Sequence, residues 1–409
     1  MTGLPGVIME VALVQQRSFM KEVVILGGAR TPIGSFQGAL ASFSGPQLGA
    51  HAIAAALERA GVTGDQVDEV LMGNVLSGGL GQAPARQAAK GAGLPNSVPC
   101  TTVNKVCGSG MKTAMMAAQA IKAGDANVVV AGGMESMSNA PYILPQARTG
   151  YRMGNGQIVD MMIHDGLWDP YNNVHMGNCG DRTSAEFGFT REQLDEFAAE
   201  SYRRALGAVA TLAEEISPIS VPQRKGDPVV VSQDEEPGRG NIAKLPDLRA
   251  AFAKDGVTTA GNASSINDGG AALVISSAEW AAAQGKTAIG RIVGYAQHAQ
   301  EPEWFTTAPA FAVQKLMDAH GLSVSDVDLF EVNEAFSVVS MVVAQKVGIP
   351  LERMNVNGGA VSIGHPIGMT GTRLLLTAMY ELRRRGGKYA ICTPCIGGGE
   401  ATAVLLEAL

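Results

Sequence analysis

From residue 22 the chain alternates short apolar runs with amphipathic stretches, a pattern that predicts an α/β fold. Residues 23–26, 67–72 and 128–131 read as strands, and 48–60 and 111–122 as helices, the second ending near Gly124. The alternation returns later in the chain. There, 312–319 reads as a helix, 327–332 as a strand, 370–385 as a helix running into Gly386, and 389–392 as a strand. Between residues 138 and 264 it loosens, with Pro, Gly, Met, Asn and Trp scattered through and one helical stretch over 191–206. A segment this long without regular alternation reads as a functional insertion rather than a connection.

The two regular regions resemble each other. Gly61-Val-Thr-Gly-Asp-Gln-Val-Asp68 matches Gly321-Leu-Ser-Val-Ser-Asp-Val-Asp328, each between a helix and a strand. Val103-Asn104 and Val356-Asn357 both precede a Gly-rich turn and a helix. Each of those helices leads to a strand followed by glycines, Gly132-Gly133 and Gly397-Gly398-Gly399. A duplicated α/β unit explains this economically, against chance likeness between generic helix–Gly–strand segments.

A chain of 409 residues predicts two or three domains, and its 46% hydrophobic and 5% aromatic content implies cores of Ala, Val, Leu and Met. The 51 glycines cluster in runs such as Gly358-Gly359, marking places where backbone must come close to something. A net charge of −7 argues against nucleic acid or an anionic membrane as partner. No apolar run is long enough to span a bilayer. Residues 1–19 lack the basic start of a signal peptide and the arginines of a presequence, and are expected to be an N-terminal extension. The five cysteines, an odd number, argue against a disulfide framework and for a reducing cytoplasm.

Four stretches carry candidate chemistry. Asn104-Lys-Val-Cys107-Gly-Ser-Gly110 sets a cysteine at the start of a helix, where free N–H groups favour thiolate, although many free cysteines are simply small buried hydrophobes. Asn355-Val-Asn-Gly-Gly-Ala-Val-Ser-Ile-Gly-His365 places a histidine in a glycine-lined turn at the corresponding point of the second half. If the halves superpose, Cys107 and His365 face each other as nucleophile and base; the alternative is a histidine held by structural hydrogen bonds. Cys392-Thr-Pro-Cys395-Ile-Gly-Gly-Gly-Glu400 reads as a redox pair, half a zinc site, or a second reactive thiol at Cys395 beside a glycine turn. Glu331-Val-Asn333-Glu-Ala-Phe336 ends a strand, and Asn333 there either holds a water or carbonyl oxygen or caps the next helix.

The blocks 104–113, 333–336, 355–370 and 395–400 resemble the signature regions of thiolases, in thiolase order and spacing, and the likeness extends over residues 20–409. His175-Met-Gly-Asn-Cys179, Glu301-Pro-Glu-Trp-Phe305 and residues 332–337 are most similar to the biosynthetic, acetoacetyl-CoA branch. The resemblance implies an α/β thiolase fold of two duplicated βαβαβαββ-type cores in a five-layered αβαβα arrangement. The cores would occupy 20–137 plus 265–287 and 288–409, with 138–264 as a loop domain for CoA binding and tetramerisation. It further implies reversible Claisen condensation of two acetyl-CoA to acetoacetyl-CoA and CoA, with CoA thioesters as substrates, no cofactor and no metal, in a homotetramer.

By the same resemblance Cys107 takes the acyl group, His365 removes its proton, and Cys395 abstracts the α-proton of the second acetyl-CoA. One oxyanion hole is His365 with a water held by Asn333, and the other is the N–H groups of Cys107 and Gly397. Positions matching CoA contacts are His175, Met176, Leu248, Ala260, Ser264, Phe305, Ala335 and Phe336, with Arg239 slightly displaced from the family's basic position. Pro237 stands where potassium-binding members carry tyrosine, so no potassium site is expected. Trp304-Phe305-Thr306 begins the acyl pocket bulkily, which suggests short chains. The rival readings are a broad-chain degradative 3-ketoacyl-CoA thiolase, a ketoacyl-synthase-type enzyme, which typically lacks the second cysteine, and a thiol–disulfide protein built on Cys392 and Cys395.

Overall fold

The computed structural model describes residues 21–409, so the expected extension over 1–19 lies outside the described residues. Strand β1 (Val23–Arg30) leads to helix α1 (Gly45–Ala60), β2 (Glu69–Gly73), α2 (Pro84–Gly91), β3 (Cys100–Val103), α3 (Ser109–Ala123) and β4 (Val128–Ser136). A long irregular segment follows, containing α4 (Met176–Phe187) and α5 (Arg191–Gly207), before β5 (Asn267–Ser277) returns to the sheet. The chain then runs through β6 (Gly290–Ala299), α6 (Ala308–His320), β7 (Leu329–Val332), α7 (Ser337–Val347), α8 (Thr370–Arg385), β8 (Tyr389–Thr393) and β9 (Glu400–Ala408). No helix among the described residues is long and apolar enough to cross a membrane.

The strands lie in the order β7-β8-β9-β6-β1-β5-β4-β2-β3. In the first unit β3, β2 and β4 are mutually parallel, and β5 and β1 add antiparallel. The second unit repeats this: β7 is parallel to β8, and β9 and β6 add antiparallel. At the place of β3 it keeps only an isolated parallel bridge, Phe330 to Met354. Two residue pairs, Val24–Arg291 and Ile25–Gly290, join the units.

The duplication reaches individual hydrogen bonds. Asp68 Oδ2 accepts from the N–H groups of Asn127 and Val128, and Asp328 Oδ2 accepts from those of Lys388 and Tyr389. The Gly…Asp motif seen twice in the sequence therefore ends both times in the same tether to the strand after the inner helix.

Period-2 side-chain alternation explains the layering. Val24 and Leu26 of β1 pack with α1 and α2, while Val23 and Ile25 pack with α3 and α8. In β9, Ala403 and Leu405 join α6 and α7, while Val404 and Leu406 join α3 and α8. The outcome is five layers, αβαβα, with α3 and α8 shared in the middle.

Those two helices touch backbone to backbone. A Cβ on Gly371 would lie 2.3 Å from the Met111 nitrogen, and one on Gly110 would lie 2.5 Å from Thr372 Oγ1. The Thr372 hydroxyl donates instead to the Gly110 carbonyl at 3.0 Å. The irregular segment is tied to this body by Arg30, fully buried, which bonds Glu215 Oε1 at 2.6 Å and Asp234 Oδ1 at 2.6 Å.

Gly371→Ala should lower unfolding stability by about 1–3 kcal/mol through overpacking. Gly207→Ala, whose Cβ meets nothing within 4 Å, should be neutral or slightly stabilising. Denaturant unfolding of both variants checks this, and equal stabilities would contradict the close helix contact.

Candidate active site

The first turn of α3 and the turn before α8 meet at one end of the shared layer. Residues 104–107 form a tight turn. The Val106 N–H donates to Asn104 Oδ1 at 3.0 Å, and Ser109 Oγ donates to the Val106 carbonyl at 2.7 Å. Val106 itself takes a φ of 44°, unfavourable for a β-branched residue, and that conformation presents the next side chain, Cys107. Gly108 caps α3, and a Cβ there would lie 2.3 Å from Ile396 Cδ1. That contact brings the Cys395–Gly397 segment against the Cys107 turn.

Cys107, His365 and Gly397 line one cavity of about 350 Å³. Its wall also carries His175, Met176, Ala260, Ser264, Phe305, Ala335 and Phe336, ten of the expected positions in all. It is mainly apolar with a few convergent polar groups, the usual character of a small-molecule site. Asn333 and Cys395 stand behind this wall, both fully buried. Asn333 does not cap a helix, since α7 begins only at Ser337 after Phe336. Its Nδ2 lies 3.5 Å from His365 Nε2, and its Oδ1 has no hydrogen-bond partner within the chain.

The tautomer of His365 follows from its neighbours. Thr370 Oγ1 donates its only proton to the Pro366 carbonyl at 2.9 Å and lies 2.7 Å from His365 Nδ1. With the hydroxyl proton on the Pro366 carbonyl, Nδ1 carries the ring proton and the Nε2 lone pair faces the Asn333 amide. The His365 N–H is held by Asn267 Oδ1 at 2.8 Å. His175 has the opposite arrangement. Its Nδ1 accepts from the Gly177 N–H at 3.1 Å, so its proton sits on Nε2.

The electrostatics correct one expectation. The helix start was expected to favour thiolate, yet burial pushes the Cys107 thiol up to about 11, over the opposing N–H groups of Gly397 and Cys107. Cys107 as a whole is half-buried and lines the cavity. Burial, then the nearby Cys107, also hold the Cys395 thiol well above its ordinary value. Burial first, and Arg373 second, push His365 down to about 3. The resting site is thus a neutral thiol beside a neutral imidazole.

Two expected CoA contacts lie off the cavity. Arg239 is exposed and bonds Glu235 Oε1 at 3.1 Å, one turn back on its own short helix. Leu248 packs beside Leu245 and Val361 and accepts through its carbonyl from Arg191 at 2.9 Å. Conversely, Phe252 was missed. It stacks on His175 with ring centroids 4.6 Å apart and meets Phe336 edge-on at 6.0 Å. Its signal was a lone aromatic in the small-residue run Ala250-Ala-Phe252-Ala. Ile367, two residues after His365, and Leu167, at the end of a π-helical turn over Met162–Leu167, complete the apolar wall.

Cys392 and Cys395 do not act as a pair in this structure. Cys392 packs in the shared layer against the Leu374 carbonyl, Cys395 lies among the α6–α7 side chains, and all five cysteines are free. Among the described residues no group of three His, Cys, Asp or Glu side chains could hold a metal ion.

A duplicated five-layer α/β body with a cysteine and a histidine at the starts of its two inner helices defines a class, and comparison with known proteins settles it. The thiolase N-terminal domain model matches residues 23–279 and the thiolase C-terminal domain model residues 286–408, so the chain belongs to the thiolase family. It is 52% identical over 393 residues to acetyl-CoA acetyltransferase 2 of Arabidopsis thaliana, covering 95% of this chain and 98% of that one. It is 49% identical over 390 residues to acetyl-CoA acetyltransferase of Pseudomonas aeruginosa, covering 95% and 99%. A crystal structure of the Acat5 thiolase from Ascaris suum in complex with coenzyme A matches with a TM-score of 0.90 at 42% identity, over 95% of this chain and 100% of that one.

The low folded pKa of His365 makes stability depend on pH. The unfolded imidazole, near 6.5, takes up a proton before the folded one, near 3. The contribution is complete above pH 6.5 and is lost as pH falls toward 3, by roughly 1.4 kcal/mol per unit. Denaturant unfolding between pH 7 and about 5 should therefore be less pH-sensitive in His365→Asn than in wild type.

Proposed function

We propose that the chain is an acetyl-CoA C-acetyltransferase, condensing two acetyl-CoA reversibly to acetoacetyl-CoA and CoA through an acetyl-Cys107 intermediate. The observation that carries this reading is the convergence of Cys107, His365 and the Gly397 N–H from two units onto one apolar cavity, with Cys395 directly behind. The names of the relatives, and the coenzyme A in the Ascaris complex, support the substrate class.

The first half-reaction starts from neutral groups. Cys107 attacks the thioester carbonyl as its proton passes to His365 Nε2, the unprotonated nitrogen. The Cys395 thiol protonates the departing CoA thiolate, which leaves Cys395 as thiolate beside imidazolium. In the second half-reaction that thiolate removes the α-proton of a new acetyl-CoA. Its enolate oxygen is held by protonated His365 and by a water on Asn333, whose Oδ1 is otherwise unpaired. The enolate attacks acetyl-Cys107, and the tetrahedral oxyanion is held by the N–H groups of Cys107 and Gly397. Each such hole supplies several kcal/mol. Collapse returns the His365 proton to Cys107, and both cysteines end as thiols. The thioester itself acidifies the α-carbon, so this scheme uses no metal or redox cofactor.

His175, with its Nε2–H free to donate, and the apolar wall of Met176, Ala260, Ser264, Ala335 and Phe336 are assigned to the CoA arm. Phe305, buried against Phe336 at a centroid distance of 6.4 Å, is assigned to limit acyl length. A homotetramer is proposed as the assembly; exposed Tyr142, Leu144, Met153 and Ile158 in the inserted segment support an interface there. The cytoplasm is the proposed location, supported by five free cysteines.

The deciding experiment compares thiolysis of acetoacetyl-CoA with that of longer 3-ketoacyl-CoA substrates. A steep preference for acetoacetyl-CoA is expected, and comparable kcat/KM across chain lengths would favour the broad-chain degradative reading. Cys107→Ala should lose acyl transfer with its fold intact. Cys395→Ala should still gain one acetyl mass on Cys107 but fail to exchange the α-protons of acetyl-CoA. Cys392→Ala should be mild. Equal losses in the Cys392 and Cys395 variants, with normal exchange in the latter, would sink the role given to Cys395.

A further inference from the structure

We infer that Glu135 is a positioning residue for this reaction: its carboxylate clamps the His365-bearing turn of the second unit onto the first and sets the negative field in which Cys107 loses its proton. The inference rests on the reading of Cys107 as nucleophile and goes beyond it, since no role in the chemistry above belongs to Glu135.

Glu135 sits at the end of β4, fully buried. Its Oε1 accepts from Asn74 Nδ2 at 2.8 Å and from the Leu76 N–H at 3.1 Å. Its Oε2 accepts from the Val75 N–H at 3.0 Å and the Gly368 N–H at 2.9 Å. Four donors match the acceptor capacity of an ionised carboxylate. Three of them belong to the turn after β2 in the first unit. The fourth, Gly368, stands three residues after His365 in the second unit.

The contact admits no side chain on either side. A Cβ on Gly368 would lie 2.6 Å from Glu135 Oε2, and one on Gly133 would lie 2.0 Å from the Gly368 carbonyl oxygen. The residues next to these donors then build the floor of the site. Val75, Leu76 and Ile367 pack together with Met137, and Cys107 rests against that cluster. Moving the carboxylate would therefore shift the wall beside the thiol and the base above it together.

The charge acts as well as the geometry. The negative Glu135 pushes the Cys107 thiol further up, adding to burial. The other groups facing this region are Asp268 on β5, held by Ser136 and Ser138, and Cys395 behind Cys107. On the turn and helix after Gly364 they are His365 and Arg373, the latter paired with Glu331 at 3.1 Å. Burial pushes Glu135 up to about 7, so across the alkaline range where Cys107 titrates the carboxylate is charged.

Glu135→Gln keeps the size, removes the charge and turns an amide NH₂ against two N–H donors. The expected result is a folded enzyme whose thiolysis kcat falls on the order of 10- to 100-fold with KM little changed. The pH midpoint for iodoacetamide alkylation of Cys107, read on its own peptide by mass spectrometry, should move to lower pH. Asn74→Ala removes one donor and leaves the charge, so kcat should fall several-fold with no downward move of the midpoint. An unchanged midpoint in folded Glu135→Gln overturns the electrostatic role, and an unchanged kcat overturns the positioning role. If Glu135→Gln does not fold, wild-type kcat in Asn74→Ala overturns the clamp. Alkylation needs no turnover, so a wild type that never acquires an acetyl group on Cys107 would refute the proposed function separately from this test.

Discussion

The contact on which the structure depends is the backbone-to-backbone meeting of α3 and α8. Neither helix could approach the other if Gly110 or Gly371 carried a side chain, because the added atom would fall well inside van der Waals distance of the partner. The approach fixes where the two helix starts lie, and each start is preceded by the turn that carries a functional side chain. The same crowding recurs one layer outward, where Gly133 meets the Gly368 carbonyl and Gly108 meets Ile396. A site assembled from two units needs the units held to a fraction of an ångström, and here glycine supplies that precision by leaving no slack.

The organisation was legible in the sequence because it is written in local, repeated signals. Alternating apolar runs gave the strands, helix-ending glycines gave the boundaries, and the doubled Gly…Asp motif proved to be a doubled hydrogen-bond tether. The glycine-flanked Cys107 and His365 were legible for a related reason, since residues that must be approached by backbone or ligand are surrounded by residues without side chains. Arg239 and Leu248 stand off the cavity, which the sequence could not show because nothing local records which way a loop residue turns. Arg239 found Glu235 four residues back, a pairing the sequence also permits. Phe252 was missed because its partners, His175 and Phe336, come from distant parts of the chain.

The charge states were the least legible feature, and the reason is physical. A helix start stabilises thiolate by a few local N–H groups, a signal visible in sequence, whereas desolvation depends on the whole surrounding body. Here burial outweighs the local donors for Cys107 and Cys395, and it pushes His365 the other way. All three shifts favour uncharged groups. A neutral resting site keeps an apolar cavity free of an isolated buried charge, and it makes ion-pair formation part of the reaction rather than part of the ground state. In the proposed scheme charge then appears on the oxyanions, which face the Cys107 and Gly397 N–H groups, and on the Cys395 thiolate and the His365 imidazolium together.

The duplicated architecture also accounts for the site's asymmetry. After each inner helix the chain runs up a strand to the same edge of the site, along β4 in the first unit and β8 in the second. At the end of β8 it turns through Gly397 to Gly399 directly into β9, and Cys395, just before that turn, pairs with Ala401 of β9 near Cys107. At the end of β4 no such turn exists, because residues 137–266 intervene before β5. That strand end carries Glu135, which accepts from four donors. The inserted segment stands in place of that turn. It supplies His175, Phe252 and Ser264 to the wall of the cavity, for which the second unit has no counterpart segment.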